Sequence, residues 1–214
     1  MSYRQRQLGV VPSPQDYRDY KLTRVTAVKR AFPEEYTCPF LVPKPYDQGD
    51  IAACVAYGLK ALKEMQEYQE RQIFTRFSAA YIYGARGPAD YKGEGMIPRE
   101  ALNTLLKRGD CREAKFPGIH PYPICAGRIT SEMDKDALPQ RIKTYTAIHT
   151  VEEAKTALTE LGPLCIGFSV YESFYQGGNL RLPNKATEKL NGFHMLTIVG
   201  WTRDNRWLAL NGEH

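Results

Sequence analysis

The sequence predicts an α+β fold in which helices occupy the first half of the chain and strands the second. Apolar residues recur at helical spacing from Cys54 onward, which is typical of a helix that packs on a core. The second half carries three short apolar runs rich in β-branched and aromatic residues, at 163–171, 194–201 and 206–210. A proline-rich stretch at 116–123 separates the halves, and we place the boundary between them there.

Three helices are predicted in the first half. The first begins near Cys54, and its apolar stripe consists of Val55, Leu59, Leu62 and Met65. Ser78 suits the cap of a second helix, because a serine hydroxyl accepts a hydrogen bond from the free N–H groups of a first turn. Pro98 and Gly109 bracket a third helix, since proline fits the first turn and glycine fits the position just past the end.

One helix and three strands are predicted in the second half. Thr150 and Glu153 form the capping-box pattern at the start of the helix, and Gly162 is expected to end it. The three apolar runs follow as strands, and the polar residues 202–205 suit a hairpin turn between the last two.

The composition is that of a globular protein with neither a nucleic acid nor a membrane as partner. Of 214 residues, 43% are hydrophobic and 25% charged, and the net charge is only +5. No run of about 18 apolar residues is present, and no zinc-finger, phosphate-loop or dinucleotide motif occurs. We expect no metal, no cofactor and a monomer. No signal peptide is visible, so both a cytoplasmic location and export after removal of a leader stay open.

Four polar residues stand in an order that suits nucleophilic catalysis. Gln48 lies six positions before Cys54, His194 follows the cysteine by 140 positions, and Asn211 follows the histidine by 17. A thiol at a helix N-terminus is favoured as the reactive thiolate, and an imidazole can take up its proton. An amide such as that of Asn211 can fix the orientation of the imidazole ring. The side-chain NH₂ of Gln48 can stabilise an oxyanion, with the backbone N–H of Cys54 as second donor.

On these residues the chain resembles the papain-like cysteine peptidases, and their divergent bacterial members in particular. The resemblance covers residues 33 to 212 approximately and is carried by the stretches 47–57, 191–196 and 207–212. It implies a two-lobed fold, with a helical N-terminal lobe at about 45–120, a β-rich C-terminal lobe at about 121–214 and an active-site cleft between them.

The family resemblance implies a cysteine endopeptidase that acts on peptide or protein substrates. Cys54 would be the nucleophile, His194 the base, Asn211 the residue that orients the histidine, and Gln48 part of the oxyanion hole. Two alternatives stay open: a catalytically impaired relative that binds peptides or proteins, and a transpeptidase or amidase that uses the same thiol chemistry. Retention of Gln48 beside the triad argues against the impaired relative.

The resemblance also implies where a substrate binds. In this family a glycine-containing segment of the helical lobe pairs with the substrate backbone, and the dominant pocket receives the side chain two residues before the cut. The residues expected to bind substrate are Gly93, Gly95, Met96, Ile97 and Met195. The apolar side chains of Met96, Ile97 and Met195 predict a hydrophobic preference at that substrate position. The alternative is that Glu94 points inward and selects a basic side chain.

Residues 1–32 precede the usual start of the family domain, which here spans 33–214. The resemblance implies that this extension packs on the β lobe and restricts the cleft, as in a zymogen; the alternative is a disordered tail. Three places depart from the family pattern. Ile51 replaces the cysteine of a common disulfide, and Val55 replaces a common tryptophan. Gly212 and Glu213 stand where Ser-Trp usually follows the asparagine, so the tryptophan that shields the His–Asn pair is expected to be missing or replaced.

Overall fold

A computed structural model describes residues 7–14, 16, 31–42, 46–176 and 181–210. Asn211 and most of the predicted N-terminal extension lie outside the described residues. Helices dominate the first part of the chain and an antiparallel sheet the second, which confirms the predicted α+β class. No helix among these residues is long and apolar enough to cross a bilayer.

The predicted helices form at the expected places. The described part contains α1 (Cys54–Arg71), α2 (Ala79–Gly84), α3 (Pro98–Lys107), α4 (Tyr122–Gly127), α5 (Ser131–Ala137) and α6 (Val151–Glu160). Ser78 caps α2 by accepting a hydrogen bond from the Tyr81 N–H at 3.0 Å. Thr150 and Glu153 form the capping box that begins α6.

Helices α4 and α5 were not predicted from the sequence. Prolines at 117–123 indicate irregular backbone, yet α4 begins at Tyr122 with Pro123 in its first turn, where a missing N–H costs no helical bond. Both helices belong to the helical lobe: Cys125 and Ala137 are buried in its core, and the Tyr81 hydroxyl donates to Asp134 at 2.6 Å. These contacts pack α4 and α5 on the core of the helical lobe.

The sheet is built around one long strand. Its members are β1 (Tyr36–Thr37), β2 (Leu164–Tyr171), β3 (Leu190–Trp201) and β4 (Trp207–Leu210). Strand β3 pairs antiparallel with each of the other three. The predicted hairpin turn between β3 and β4 is present, and Asn205 adopts a φ of 60° in it. Strand β3 therefore fixes the position of His194 within the β-rich lobe.

Helix α1 lies between two hydrophobic cores. Val55 and Leu59 face the core of the helical lobe, whereas Ala61 and Met65 pack in a second core with residues of β3 such as Trp201. A helix shared by both lobes carries its N-terminus to the junction between them. Cys54 is the first residue of α1, so it lies where the two lobes meet.

Candidate active site

Cys54 lies at the N-terminus of α1 but is covered by other parts of the chain. Its N-cap, Ala53, makes no side-chain capping bond, and no acidic residue occupies the first turn of α1. The thiol is only 2% exposed, and burial raises its pKa to about 11, while the backbone N–H groups of Met195 and Gly9 oppose that rise. The sequence predicts a thiolate here, but desolvation outweighs the helix terminus in the observed arrangement. Cys54 is therefore protonated at neutral pH.

Strand β3 docks directly onto α1 beside Cys54. The Thr197 hydroxyl donates to the Gly58 carbonyl at 3.2 Å. Gly58 also allows Met195 to approach, because a Cβ at Gly58 would lie 3.0 Å from the Met195 Cγ. The Met195 N–H reaches the Cys54 thiol, so the neighbouring residue, His194, lies on the strand that contacts the cysteine.

His194 is enclosed by aromatic side chains. It is 3% exposed and pairs with Phe168 across the β2–β3 ladder. The rings of Phe168 and Phe174 both lie edge-on to the imidazole, with centroids 6.0 Å away. Two phenylalanines thus shelter the imidazole. Strand β4 ends at Leu210, and Asn211 is outside the described residues.

The Gln48 amide lies close to the cysteine and uses its NH₂ group twice. The side chain is 1% exposed, and its Nε2 donates to the Ile51 carbonyl at 2.9 Å and to the Gln7 carbonyl at 3.1 Å. The first bond ties the amide to the turn that precedes α1. The second engages a carbonyl oxygen from a distant part of the chain. One N–H of the amide thus holds the side chain in place, and the other is directed at a peptide carbonyl oxygen.

Residues 7–11 run as an extended segment between the two lobes. The Met96 N–H donates to the Gly9 carbonyl at 2.7 Å, and the Val11 N–H donates to the Met96 carbonyl at 2.9 Å. On the other side, the Val10 N–H donates to the Phe193 carbonyl at 3.3 Å. The segment therefore makes backbone hydrogen bonds to both lobes at the level of Cys54.

The packing around this segment requires glycine at two positions. A Cβ on Gly9 would lie 2.0 Å from the Ala52 carbonyl oxygen, next to the cysteine. Gly95 has a φ of +101°, and a Cβ on it would lie 2.8 Å from the Gly9 carbonyl oxygen. Space beside Cys54 is correspondingly small, since the cavity lined by Cys54, Gln48 and Tyr46 has a volume of about 20 Å³, enough for about one water molecule.

The residues predicted to bind substrate differ in what they offer to the cleft. Met96 makes backbone hydrogen bonds to the segment, and Gly95 lies close to the Gly9 carbonyl, but the Met96 side chain is completely buried in the helical-lobe core. Ile97 is half-buried, and Met195 packs its side chain on Gly58. Gly93 contributes a carbonyl that binds a side chain within its own lobe.

Glu94 is bound within the helical lobe. Its two carboxylate oxygens accept hydrogen bonds from the Tyr83 hydroxyl at 2.7 Å and from the Tyr122 N–H at 2.9 Å.

Gly167 was not predicted to face the cleft, yet a Cβ on it would lie 3.7 Å from the Val10 Cγ1. A glycine within an apolar strand run was the signal for this, because it often marks a close approach of another chain segment.

Comparisons with known proteins agree on the family. A sequence model described as papain family cysteine protease matches residues 36–212. Cathepsin B-like cysteine proteinase 4 of Caenorhabditis elegans is 26% identical over 202 residues, covering 77% of this chain and 60% of that protein. Cathepsin B-like cysteine proteinase 2 of Haemonchus contortus is 27% identical over 121 residues, covering 50% of this chain and 31% of that protein. The chain thus spans three fifths or less of these curated relatives.

Solved structures share the fold. Xylellain, a cysteine protease from Xylella fastidiosa, superposes with a TM-score of 0.78 and 25% identity, covering 94% of this chain and 83% of that one. Procathepsin B S9 from Trypanosoma congolense superposes with a TM-score of 0.69 and 19% identity, covering 91% of this chain and 70% of that one.

Proposed function

The chain belongs to the papain family of cysteine proteases, and we propose that it is an endopeptidase that cleaves peptide bonds through Cys54. The observation that carries the proposal is the arrangement at the start of α1. There the Cys54 thiol and the Gln48 amide are both buried at the lobe junction, and an N–H of Gln48 is bonded to a peptide carbonyl. A peptide backbone is thus held against the thiol and the oxyanion donor together.

In the proposed reaction the Cys54 thiolate attacks the carbonyl carbon of the scissile peptide bond. His194 takes the thiol proton and delivers it to the leaving amine, and Asn211 holds the imidazole in the required tautomer. The negative charge on the tetrahedral oxygen is stabilised by the Gln48 amide and the Cys54 backbone N–H. Water activated by the neutral imidazole then hydrolyses the acyl-enzyme. The substrate is a peptide or protein chain that binds in extended form.

Substrate is proposed to bind where residues 7–11 lie. Met96 offers one backbone donor and one acceptor, and Phe193 offers an acceptor from the opposite lobe. The branched side chain of Val10 lies against Gly167, with its Cγ1 3.7 Å from where a Cβ on Gly167 would be, which supports a pocket there with a hydrophobic preference. The bonds that hold Glu94 inside its lobe argue against selection of a basic side chain.

Residues 1–32 are proposed to be an extension that blocks the cleft of the peptidase domain at 33–214. The direction of the segment is consistent with a block that resists cleavage. In the family a substrate's pocket residue precedes the residue whose carbonyl is attacked. Here Val10, in the pocket, follows Gly9, which lies against Cys54. The segment therefore runs opposite to a substrate and does not present a scissile bond.

The test is a peptide-library digestion under reducing conditions, read by mass spectrometry. We expect cleavage within peptides by a chain that begins at Ala31, slower cleavage by the full chain, and none by Cys54→Ala in either background. Equal rates for the two lengths would rule out the blocking role alone. Unchanged cleavage by Cys54→Ala would overturn the endopeptidase assignment. A competing amine in the digestion distinguishes hydrolysis from acyl transfer, because only transfer yields an amide of that amine.

A further inference from the structure

The substrate-pairing backbone at Gly95 and Met96 lies on a connection that has no regular structure of its own. Residues 85–97 join α2 to α3 by turns and bends. All five cysteines of the chain are free, so no disulfide fixes this connection. An irregular loop that must hold two backbone groups at hydrogen-bonding distance from a peptide needs another source of rigidity.

Arg86 lies at the centre of this connection. It is 8% exposed, and its guanidinium donates to three carbonyls: Nε to Tyr83 at 2.8 Å, and Nη1 to Tyr91 at 2.9 Å and Gly93 at 2.7 Å. The guanidinium also stacks between two rings, 4.2 Å from the centroid of Tyr83 and 3.8 Å from that of Tyr122. One planar cation therefore joins the end of α2, two points of the loop, and α4.

Neighbouring groups extend this clamp to the residues on either side of Met96. The Tyr83 hydroxyl accepts from the Gly95 N–H at 3.1 Å and donates to Glu94 at 2.7 Å. Asp90 Oδ1 accepts from the Ile97 N–H at 2.9 Å. Gly95 and Ile97 are thus both anchored, and Met96 between them is left with its N–H and C=O directed at the cleft segment.

We propose that Arg86 is a positioning residue for substrate binding, which acts by holding the Gly95–Met96 backbone in the geometry that pairs with an extended peptide. The inference rests on the proposed function, because it concerns how the same cleft binds peptides. Lysine cannot replace arginine in this role. Its point charge lacks the planar fork that reaches three carbonyls and the flat surface that stacks between two rings.

The expected effect is on binding and not on the chemistry of Cys54. A loop that is no longer fixed weakens two backbone hydrogen bonds to the peptide, which corresponds to about a tenfold loss of affinity. These bonds are made equally in the ground state and the transition state, so the reactivity of the thiol itself stays the same.

The test compares two reagents with the same electrophile on the full chain: a peptidyl chloromethyl ketone with leucine at the pocket position, and chloroacetone. In both reactions the Cys54 thiolate displaces chloride, and both require the N-terminal segment to leave the cleft. The rate constant of the peptidyl reagent is divided by that of chloroacetone, and this ratio cancels the step in which the segment leaves. Labelling is assigned to Cys54 by its absence in Cys54→Ala. We expect the ratio to fall about tenfold in Arg86→Lys and about threefold or more in Tyr83→Phe, which removes the hydroxyl but keeps the stacked ring.

Arg112→Lys is the matched control. Arg112 lies in the same lobe, its Nε donates to Asp136 at 2.9 Å, and none of its bonds reaches the connection at 85–97. Its ratio should stay within about twofold of the wild type. An unchanged ratio in Arg86→Lys, at whatever melting temperature, would show that Arg86 serves stability alone. If Arg86→Lys does not fold, Tyr122→Leu, which removes one of the two rings on which the guanidinium stacks, decides by the same criterion. If the wild-type ratio is close to the ratio measured with free cysteine, the cleft does not bind peptides. That outcome refutes the proposed function and is distinct from a failure of the inference about Arg86.

Discussion

Replacing Gly9 by alanine is predicted to release the N-terminal segment and activate Cys54. The new Cβ would lie 2.0 Å from the Ala52 carbonyl oxygen and 2.5 Å from its carbon. Both are backbone atoms of the turn that leads into α1, so they cannot move aside without displacing the helix start. The segment therefore has to leave the cleft, and the thiol regains contact with water.

The size of the effect follows from the pKa of Cys54. Burial holds this pKa at about 11, and exposure returns it toward about 8.5. At pH 7.5 that change raises the thiolate population about 300-fold. A less basic thiolate is intrinsically about 10- to 20-fold less nucleophilic, so the net gain in alkylation rate is about 20-fold. Improved access adds to this figure.

The assay is the rate of Cys54 alkylation by iodoacetamide as a function of pH. The raised pKa means that the wild-type rate keeps rising up to about pH 11, whereas the Gly9→Ala rate should level off at or below about pH 8.5, because the helix N-terminus and His194 favour the thiolate. Gly127→Ala is the matched control, because a Cβ at Gly127 would meet no atom within 4 Å. Alkylation of Gly9→Ala at the wild-type rate and with the wild-type pH profile would refute the covering of Cys54 by residues 7–11.

Three further predictions concern the cleft of a chain that begins at Ala31. Gln48→Ala should lower kcat by about 10²–10³ with little change in KM, since one oxyanion donor is lost; a raised KM at constant kcat would make Gln48 a substrate-binding residue instead. Glu94→Gln should leave the preference at the pocket position apolar, because the carboxylate is engaged by Tyr83 and the Tyr122 backbone. Library profiling would contradict this if the wild type preferred arginine or lysine there and Glu94→Gln did not. Gly167→Val should shift that preference from leucine toward alanine, because the new side chain enters the space where a Cβ would already lie 3.7 Å from the Val10 Cγ1; an unchanged profile would place the pocket elsewhere.

Local signals in the sequence predicted most of the fold. The apolar stripe after Cys54, the Ser78 cap and the Thr150 capping box each act within a few residues, and the helices begin where these signals lie. Helix α4 was missed because prolines around residue 120 suggest a loop, and only tertiary packing of Cys125 shows that a helical turn forms there. Local chemistry sets where an element starts, whereas burial decides which short elements persist.

The candidate site was predictable only in part. The spacing of Gln48, Cys54 and His194 indicated thiol chemistry, since the order along the chain is sufficient for that. The course of residues 7–11 through the cleft depends on contacts with residues about 90 to 185 positions away, such as Met96 and Phe193, which no local pattern encodes. Arg86 likewise looks like any surface arginine in the sequence, because its role arises from carbonyls and rings that only the folded loop brings together.

We propose that this chain cleaves peptide bonds with the Cys54 thiol. The most direct measurement is peptide-library digestion by Gly9→Ala, in which the full chain is kept and the cleft is freed, beside Gly9→Ala carrying Cys54→Ala. Under reducing conditions we expect internal cleavage of the peptides by the single variant, with hydrophobic residues favoured two positions before the cut, and none by the double variant. Equal cleavage by both variants, or none by either while Cys54 is fully alkylated by iodoacetamide, would contradict the claim.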